Sequence, residues 1–207
     1  MPSQRAIVLA SGNRGKLSEF QGRLAPLGWT LVPQSDFDIP PAEETGETFV
    51  ENAILKARHA ARLSGLPALA DDSGLEVPAL GGAPGIHSAR YAGASADDQA
   101  NIARLLDALA DKPDQDLSAR FYCVVVYMRH AADPTPVIGQ GSWWGHIRRQ
   151  PHGSGGFGYD PVFEISGLDK TAAELSREHK NRLSHRAMAL TQLLQQLRTH
   201  AADHTEH

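Results

Sequence analysis

Four short strings in this 207-residue chain carry side chains suited to phosphate and metal chemistry. The first is Ser11-Gly12-Asn13-Arg14-Gly15-Lys16, directly after the apolar run AIVLA. A strand end, a turn and a helix start present unpaired backbone N–H groups and the positive end of a helix dipole. With the Asn13 amide and the Lys16 ammonium this makes an anion cradle; the plainer alternative is a helix-opening turn with a solvated lysine. It is not a Walker loop, because GxxxxGK[ST] occurs nowhere in the chain.

The second string is Asp71-Asp72, after LPALA. Open α/β sheets place ligands at the carboxyl ends of strands, and neighbouring strand residues point to opposite faces, so one of the two carboxylates is expected to face a ligand. Mg²⁺ with substrate phosphates needs only one or two protein carboxylates, and Glu44 could be the second. A turn acid capping Ser73-Gly74 is the plainer alternative. The third string is Gly153-Ser-Gly-Gly-Phe157-Gly158-Tyr159-Asp160, which satisfies GxGxxG. A dinucleotide site demands a helix directly afterwards, and Asp160-Pro161-Val162-Phe163 does not supply one. A glycine-rich backbone beside an aromatic suits a planar ligand stacked on Phe157, unless Phe157 is an ordinary core residue. The fourth groups Lys180 with His185-Arg186, where an arginine fork suits a carbonyl oxygen or a phosphate. Lys56 stands one helical turn after Asn52. Each of these cations could equally be a surface charge. His200, His204 and His207 fall in a polar tail and read as solvated. There is no zinc spacing and no GxSxG.

The elements that must position these residues alternate strand and helix, which points to an α/β fold. Strands are expected at 6–10, 29–32, 66–70, 75–77, 119–130, 137–147 and 161–165. Helices are expected at 16–24, from Thr48 to 63, at 97–109 and at 183–197. Thr48-x-x-Glu51 fits a capping box with Gly65 as the stop. Phe49, Ala53, Ala57, Ala60 and Leu63 share one face of that helix. Ile102, Leu105, Leu106 and Leu109 form the stripe of the next. Leu183, Ala187, Leu190, Leu194 and Leu197 form that of the last, after which a polar tail from 199 to 207 frays. DPTP turns the chain between the two long strands.

Composition narrows the classes. Lys plus Arg is 20 and Asp plus Glu is 24, a net charge of −4, which argues against a general nucleic-acid binder. The single cysteine, Cys123, sits inside FYCVVVY and reads as a buried, inert thiol; no disulfide framework is possible. No stretch reaches the ~18 apolar residues of a membrane span, and the start lacks a signal-peptide pattern, so a cytoplasmic protein is expected. One domain of about this size buries roughly 70 % of its unfolded surface.

Taken together, SGNRGK, EETGETFVENAILKARHAA, ADDSGLEVPALGGAPGIHSARYAG, GSGGFGYDPVF, KTAAEL and the K(x4)HR of KNRLSHR resemble, in order, the Ham1/RdgB family of inosine and xanthosine triphosphate pyrophosphatases. The likeness covers about 6–197. It implies an α/β fold with a mixed, bent sheet and flanking helices, and a single domain over 1–198 whose two lobes flank an active-site cleft. It implies a homodimer, Mg²⁺, and hydrolysis of ITP, dITP and XTP to monophosphate and pyrophosphate. By this resemblance Ser11, Gly12, Asn13, Arg14, Gly15 and Lys16 bind phosphate, with Lys56 and Lys180 as further phosphate contacts. Asp72 is the catalytic acid and a metal ligand, Glu44 the second ligand, and Ser73 a substrate contact. Phe157, Gly158, Tyr159 and Asp160 form the base pocket, and His185 and Arg186 read the 6-oxo edge. Ser11 stands where Thr is common, and His87 where an aromatic is frequent. A Maf-type pyrophosphatase and a nucleotide sensor without turnover are the competing readings; the FGYD and HR strings argue against the first, the intact Asp72 and Glu44 against the second.

Overall fold

The short branched run RAIVL forms β1 (Arg5–Leu9), in which the successive residues Ile7, Val8 and Leu9 are buried, as in a parallel strand covered on both faces. The computed structural model describes residues 5–12 and 14–203. After β1 come α1 (Arg14–Leu24), β2 (Trp29–Pro33), α2 (Phe49–Ser64), β3 (Ala68–Glu76) and α3 (Asp98–Ala108). The chain continues through β4 (Ser118–Met128), β5 (Val137–Ile147), β6 (Phe163–Ile165), α4 (Arg177–Leu183) and α5 (His185–Asp203). The six strands form one mixed sheet in the order β2-β1-β3-β4-β5-β6. β1 is parallel to both β2 and β3, whereas β5 and β6 are antiparallel.

Two compact units divide the described chain. The first comprises residues 5–72, 124–140 and 189–203; the second comprises 73–123 and 141–188. Ile7, Val8, Leu9, Phe20, Leu24, Leu69, Leu190 and Leu193 are core residues of the first. Burying a side chain such as Phe20 contributes roughly 1.5–3 kcal/mol. Leu75, Leu105, Leu109, Phe121, Trp143, Ile147 and Phe163 lie in the core of the second, and the Phe121 and Phe163 rings tilt together at 4.5 Å.

α2 begins as its sequence dictates. Thr48 accepts the Glu51 N–H and the Glu51 carboxylate accepts the Thr48 N–H at 2.9 Å, a capping box worth ~1 kcal/mol. Gly65 closes the helix in the left-handed region. Phe49, Ala53, Ala57 and Ala60 are buried as expected, but Leu63 is 53 % exposed and Ala61 takes the inner place. Between β4 and β5, the buried Asp133 carboxylate accepts the Arg129 and Thr135 backbone N–H groups and the Arg129 guanidinium, which holds it well below the usual carboxylate range. In β5, Gly139 passes so close to α5 that a Cβ would overlap the Ala189 carbonyl and meet the Leu193 nitrogen at 2.7 Å.

Four expectations need correction. The segments 66–70 and 75–77 are not separate strands: β3 runs unbroken through Asp71-Asp72-Ser73-Gly74. Gly74 has no positive φ, so nothing there turns the chain. The last helix is two helices, because Ser184 is extended and its hydroxyl accepts the Ala187 N–H, capping α5. Leu183 therefore ends α4 partly exposed, while Leu193 joins Ala187 and Leu190 in the core and Leu194 and Leu197 are half-buried. α5 also continues past residue 199 to Asp203, and residues 204–207, with His204 and His207, lie outside the described chain. Leu106 is half-buried rather than core.

Candidate active site

In the first unit, the charged residues gather beyond the C-terminal end of β1 and around the middle of β3. β1 and β3 remain in register past Leu9, where the Ala10 N–H donates to the Leu69 carbonyl at 2.8 Å. Lys16, in the first turn of α1, donates to both oxygens of Asp71 at 2.9 Å. Asp72 takes a different cation: Lys56 donates to Asp72 Oδ1 at 2.6 Å and to Glu44 Oε1 at 2.9 Å. The strand's two-residue period explains the divergence, since adjacent carboxylates leave by opposite faces. Lys56 is aimed from α2. The loop bearing Glu44 is tied to the same helix, where the Gly46 N–H donates to Asn52 Oδ1 at 2.9 Å.

Two ammonium groups here face three carboxylates, leaving one negative charge in excess. Burial raises the Asp72 carboxyl above its ordinary range, and the Glu44 and Asp71 charges add to this against the pull of Lys56. Burial opposes the charge on Lys56, but Asp72, Asp71 and Glu44 together outweigh it and hold the ammonium more firmly protonated. Ser11, Gly12, Gln34, Glu44, Lys56 and Asp71 are among the residues lining a pocket of about 210 Å³ beside them. Asn13 lies outside the described residues, and for Arg14 only the backbone, in α1, is described. Gly15 is exposed at the start of α1.

In the second unit, the glycine-rich loop is wound around Asp160. Gly156 has φ +77°, and a Cβ there would overlap the Asp160 carboxylate. That carboxylate, fully buried, accepts the Phe157 N–H at 2.8 Å and pairs with Lys180. The Gly158 N–H donates to Asp98 at 2.6 Å, a partner that no local sequence pattern singles out. Phe157 is 54 % exposed, so it is not a core residue. The Lys180 ammonium lies 4.5 Å from its ring centroid and the Arg186 guanidinium 5.7 Å. Arg186, itself buried, reaches Ser73 Oγ at 3.4 Å. His185 stacks on Phe121 at 4.9 Å with the planes 13° apart. The Tyr159 hydroxyl donates to the Ser88 carbonyl at 2.8 Å, and burial raises its pKa.

The expected residues thus assemble as two groups. Ser11, Gly12, Lys16, Glu44, Lys56 and Asp72 belong to the first unit; Ser73, Phe157–Asp160, Lys180, His185 and Arg186 belong to the second. Lys180 is in α4 rather than just ahead of a helix, with Asp160 and Phe157 as its partners. Among the described residues, no three His, Cys, Asp or Glu side chains gather to cage a metal. His87 is exposed. Sequence reasoning missed Asp71 as the fixed partner of Lys16, and Gln34 altogether.

The model of the Ham1 family matches residues 7–196 of this sequence. The chain belongs to the Ham1 family. It is 59 % identical over 192 residues to a protein of Shigella flexneri named dITP/XTP pyrophosphatase, covering 93 % of this chain and 98 % of that one. A Yersinia pestis protein of the same name is also 59 % identical with the same coverage. Among solved structures, a Ham1 protein from Coxiella burnetii superposes with a TM-score of 0.90 at 52 % identity, over 94 % of this chain and 99 % of that chain. The Ham1 fold is therefore the fold of this chain, a mixed six-stranded sheet with helices.

Proposed function

We propose that this Ham1 protein hydrolyses dITP, ITP and XTP to the monophosphate and pyrophosphate, clearing deaminated purines from the nucleotide pool. The observation that carries the reading is Lys56 held between Glu44 and Asp72, in a chain 59 % identical to proteins named dITP/XTP pyrophosphatase. Asp72 and Ser73 are consecutive residues of β3.

The first group has the chemistry of the triphosphate end. Lys16 and Lys56 each carry a carboxylate partner that a phosphate oxygen can replace. When Lys56 turns to phosphate, Asp72 loses its counter-charge and becomes a stronger base. Asp72 then takes a proton from the water attacking the α-phosphorus. The bond from that phosphorus to the oxygen bridging to the β-phosphorus breaks, and pyrophosphate leaves. Two converging carboxylates with one excess negative charge fit the hard oxygen donor set of Mg²⁺, which Glu44 and Asp72 would hold together with phosphate oxygens. When bound, Mg²⁺ neutralises charge developing on the phosphoryl oxygens.

The second group has the chemistry of the base. The exposed Phe157 ring offers a stacking face. Arg186 and His185 supply donors for a 6-oxo group, and adenine would leave such a donor unpaired, which is costly in a dry pocket. We further propose a homodimer acting in the cytoplasm; no described helix is long and apolar enough to cross a membrane.

The test is product analysis with Mg²⁺ on ITP, XTP, GTP and ATP at equal concentration. Pyrophosphate with IMP or XMP, and little turnover of ATP or GTP, is the expected result. Orthophosphate with a diphosphate product would overturn the attack at the α-phosphorus. Tight ITP binding without turnover would leave a sensor.

A further inference from the structure

β1 and β2 pair in parallel, with Leu9 opposite Pro33, so Gln34 leaves β2 beside Ala10-Ser11 as they leave β1. A single 3-10 turn over Gln34–Phe37 fixes its backbone, its carbonyl accepting the Ile39 N–H at 3.2 Å. The residue is only 8 % exposed, and it lines the pocket with Ser11, Lys16, Glu44, Lys56 and Asp71. Its carboxamide is a neutral two-proton donor among charged groups, suited to a phosphate oxygen in that pocket. The pocket volume of about 210 Å³ equals several water molecules at ~30 Å³ each, ample for a phosphate group.

Position along β3 says which phosphate. Asp71 lines the pocket and Asp72 does not, although Lys56 and Glu44 serve both. The contents of the pocket are thus on the far side of the strand's alternation from the base that activates water. The geometry points to Gln34 as a substrate-contacting residue whose Nε2–H₂ donates to the departing pyrophosphate, the β- and γ-phosphates of the substrate. This rests on the pyrophosphatase reading for its ligand.

Two variants test it: Gln34→Met keeps length and removes the amide, and Gln34→Glu keeps shape and sets a negative charge against phosphate. Calorimetric titration of inorganic pyrophosphate in Mg²⁺, and inhibition of ITP hydrolysis by pyrophosphate and by IMP, give the readouts. Gln34→Met should weaken pyrophosphate about tenfold, as loss of a hydrogen bond to a charged group does. Gln34→Glu should weaken it more, and both should leave the IMP inhibition constant within about twofold. Unchanged pyrophosphate affinity, or equal losses for pyrophosphate and IMP, would overturn the assignment. If Gln34→Met does not fold, the Gln34→Glu comparison decides alone. Calorimetry needs no turnover, so a parent protein that binds pyrophosphate through Gln34 but does not cleave ITP would refute the activity and leave the contact standing.

Discussion

The two units hold their cations in different ways. In the first, Lys16 and Lys56 are matched to carboxylates: Asp71 takes one, and Asp72 with Glu44 takes the other. In the second, Lys180 shares itself between the Asp160 carboxylate and the Phe157 ring, and Arg186 lies between Ser73 and the same ring. A carboxylate partner can be exchanged for a phosphate oxygen one charge for another. An aromatic partner leaves the donor edge of the cation available for a neutral carbonyl. The first arrangement suits moving protons and phosphates; the second suits telling one base from another.

Three substitutions test that contrast. Asp72→Asn should have the largest effect, lowering kcat by about 10³-fold, within the usual range for loss of a general base, while ITP still binds. Burial and its acidic neighbours raise the Asp72 pKa, so kcat/KM of the parent should fall with acid at a pH above the ordinary Asp value of ~3.9. The sign for stability follows. A raised folded pKa gives stability that is complete below the unfolded value and lost as pH rises through the folded one. Ionised Asp72 therefore opposes folding at neutral pH, and the Asn variant should not melt earlier. A lower Tm with retained turnover would break the contrast. Asp133, held low by Arg129, has the opposite sign: its contribution is present above the unfolded value and is lost as pH falls through the folded one.

Gly156→Ala should come next. It meets both a φ of +77° and the Asp160 carboxylate, at a cost of about 1–3 kcal/mol. Denaturant unfolding measures that loss, and discrimination between ITP and ATP should fall with it. Arg186→Ala should have the smallest effect, lowering the ITP-to-ATP ratio of kcat/KM about tenfold. An unchanged ratio would place base reading elsewhere.

The sequence discloses one group more fully than the other. Thr48, Glu51 and Gly65 announce α2, and the position of Lys56 follows from its helical period. The β3 carboxylates diverge as the two-residue period requires. The pairing of Asp160 with Lys180 and the anchoring of Gly158 to Asp98 depend on a loop crossing 20 and 60 residues of sequence, which no local pattern encodes. Ser184 reads as helix in the sequence because Leu183, Ala187 and Leu190 keep helical spacing across it, and the hydroxyl cap is visible only once the backbone bends. No motif marks Gln34, which leaves β2 where β2 aligns with β1.

One consequence of how the first unit is drawn from three separated stretches concerns synthesis on the ribosome. The turn after β1 is complete within the first sixteen residues, but the unit that holds it includes residues beyond 189. At about 5–20 residues per second, the unit is completed on the order of 10–40 s after its first strand is made. Through that interval β1 can pair with β2 and β3 on either side, while the stretches 124–140 and 189–203 are still to come. The yield of folded protein is therefore expected to respond to how well the nascent chain is shielded until its final helix emerges.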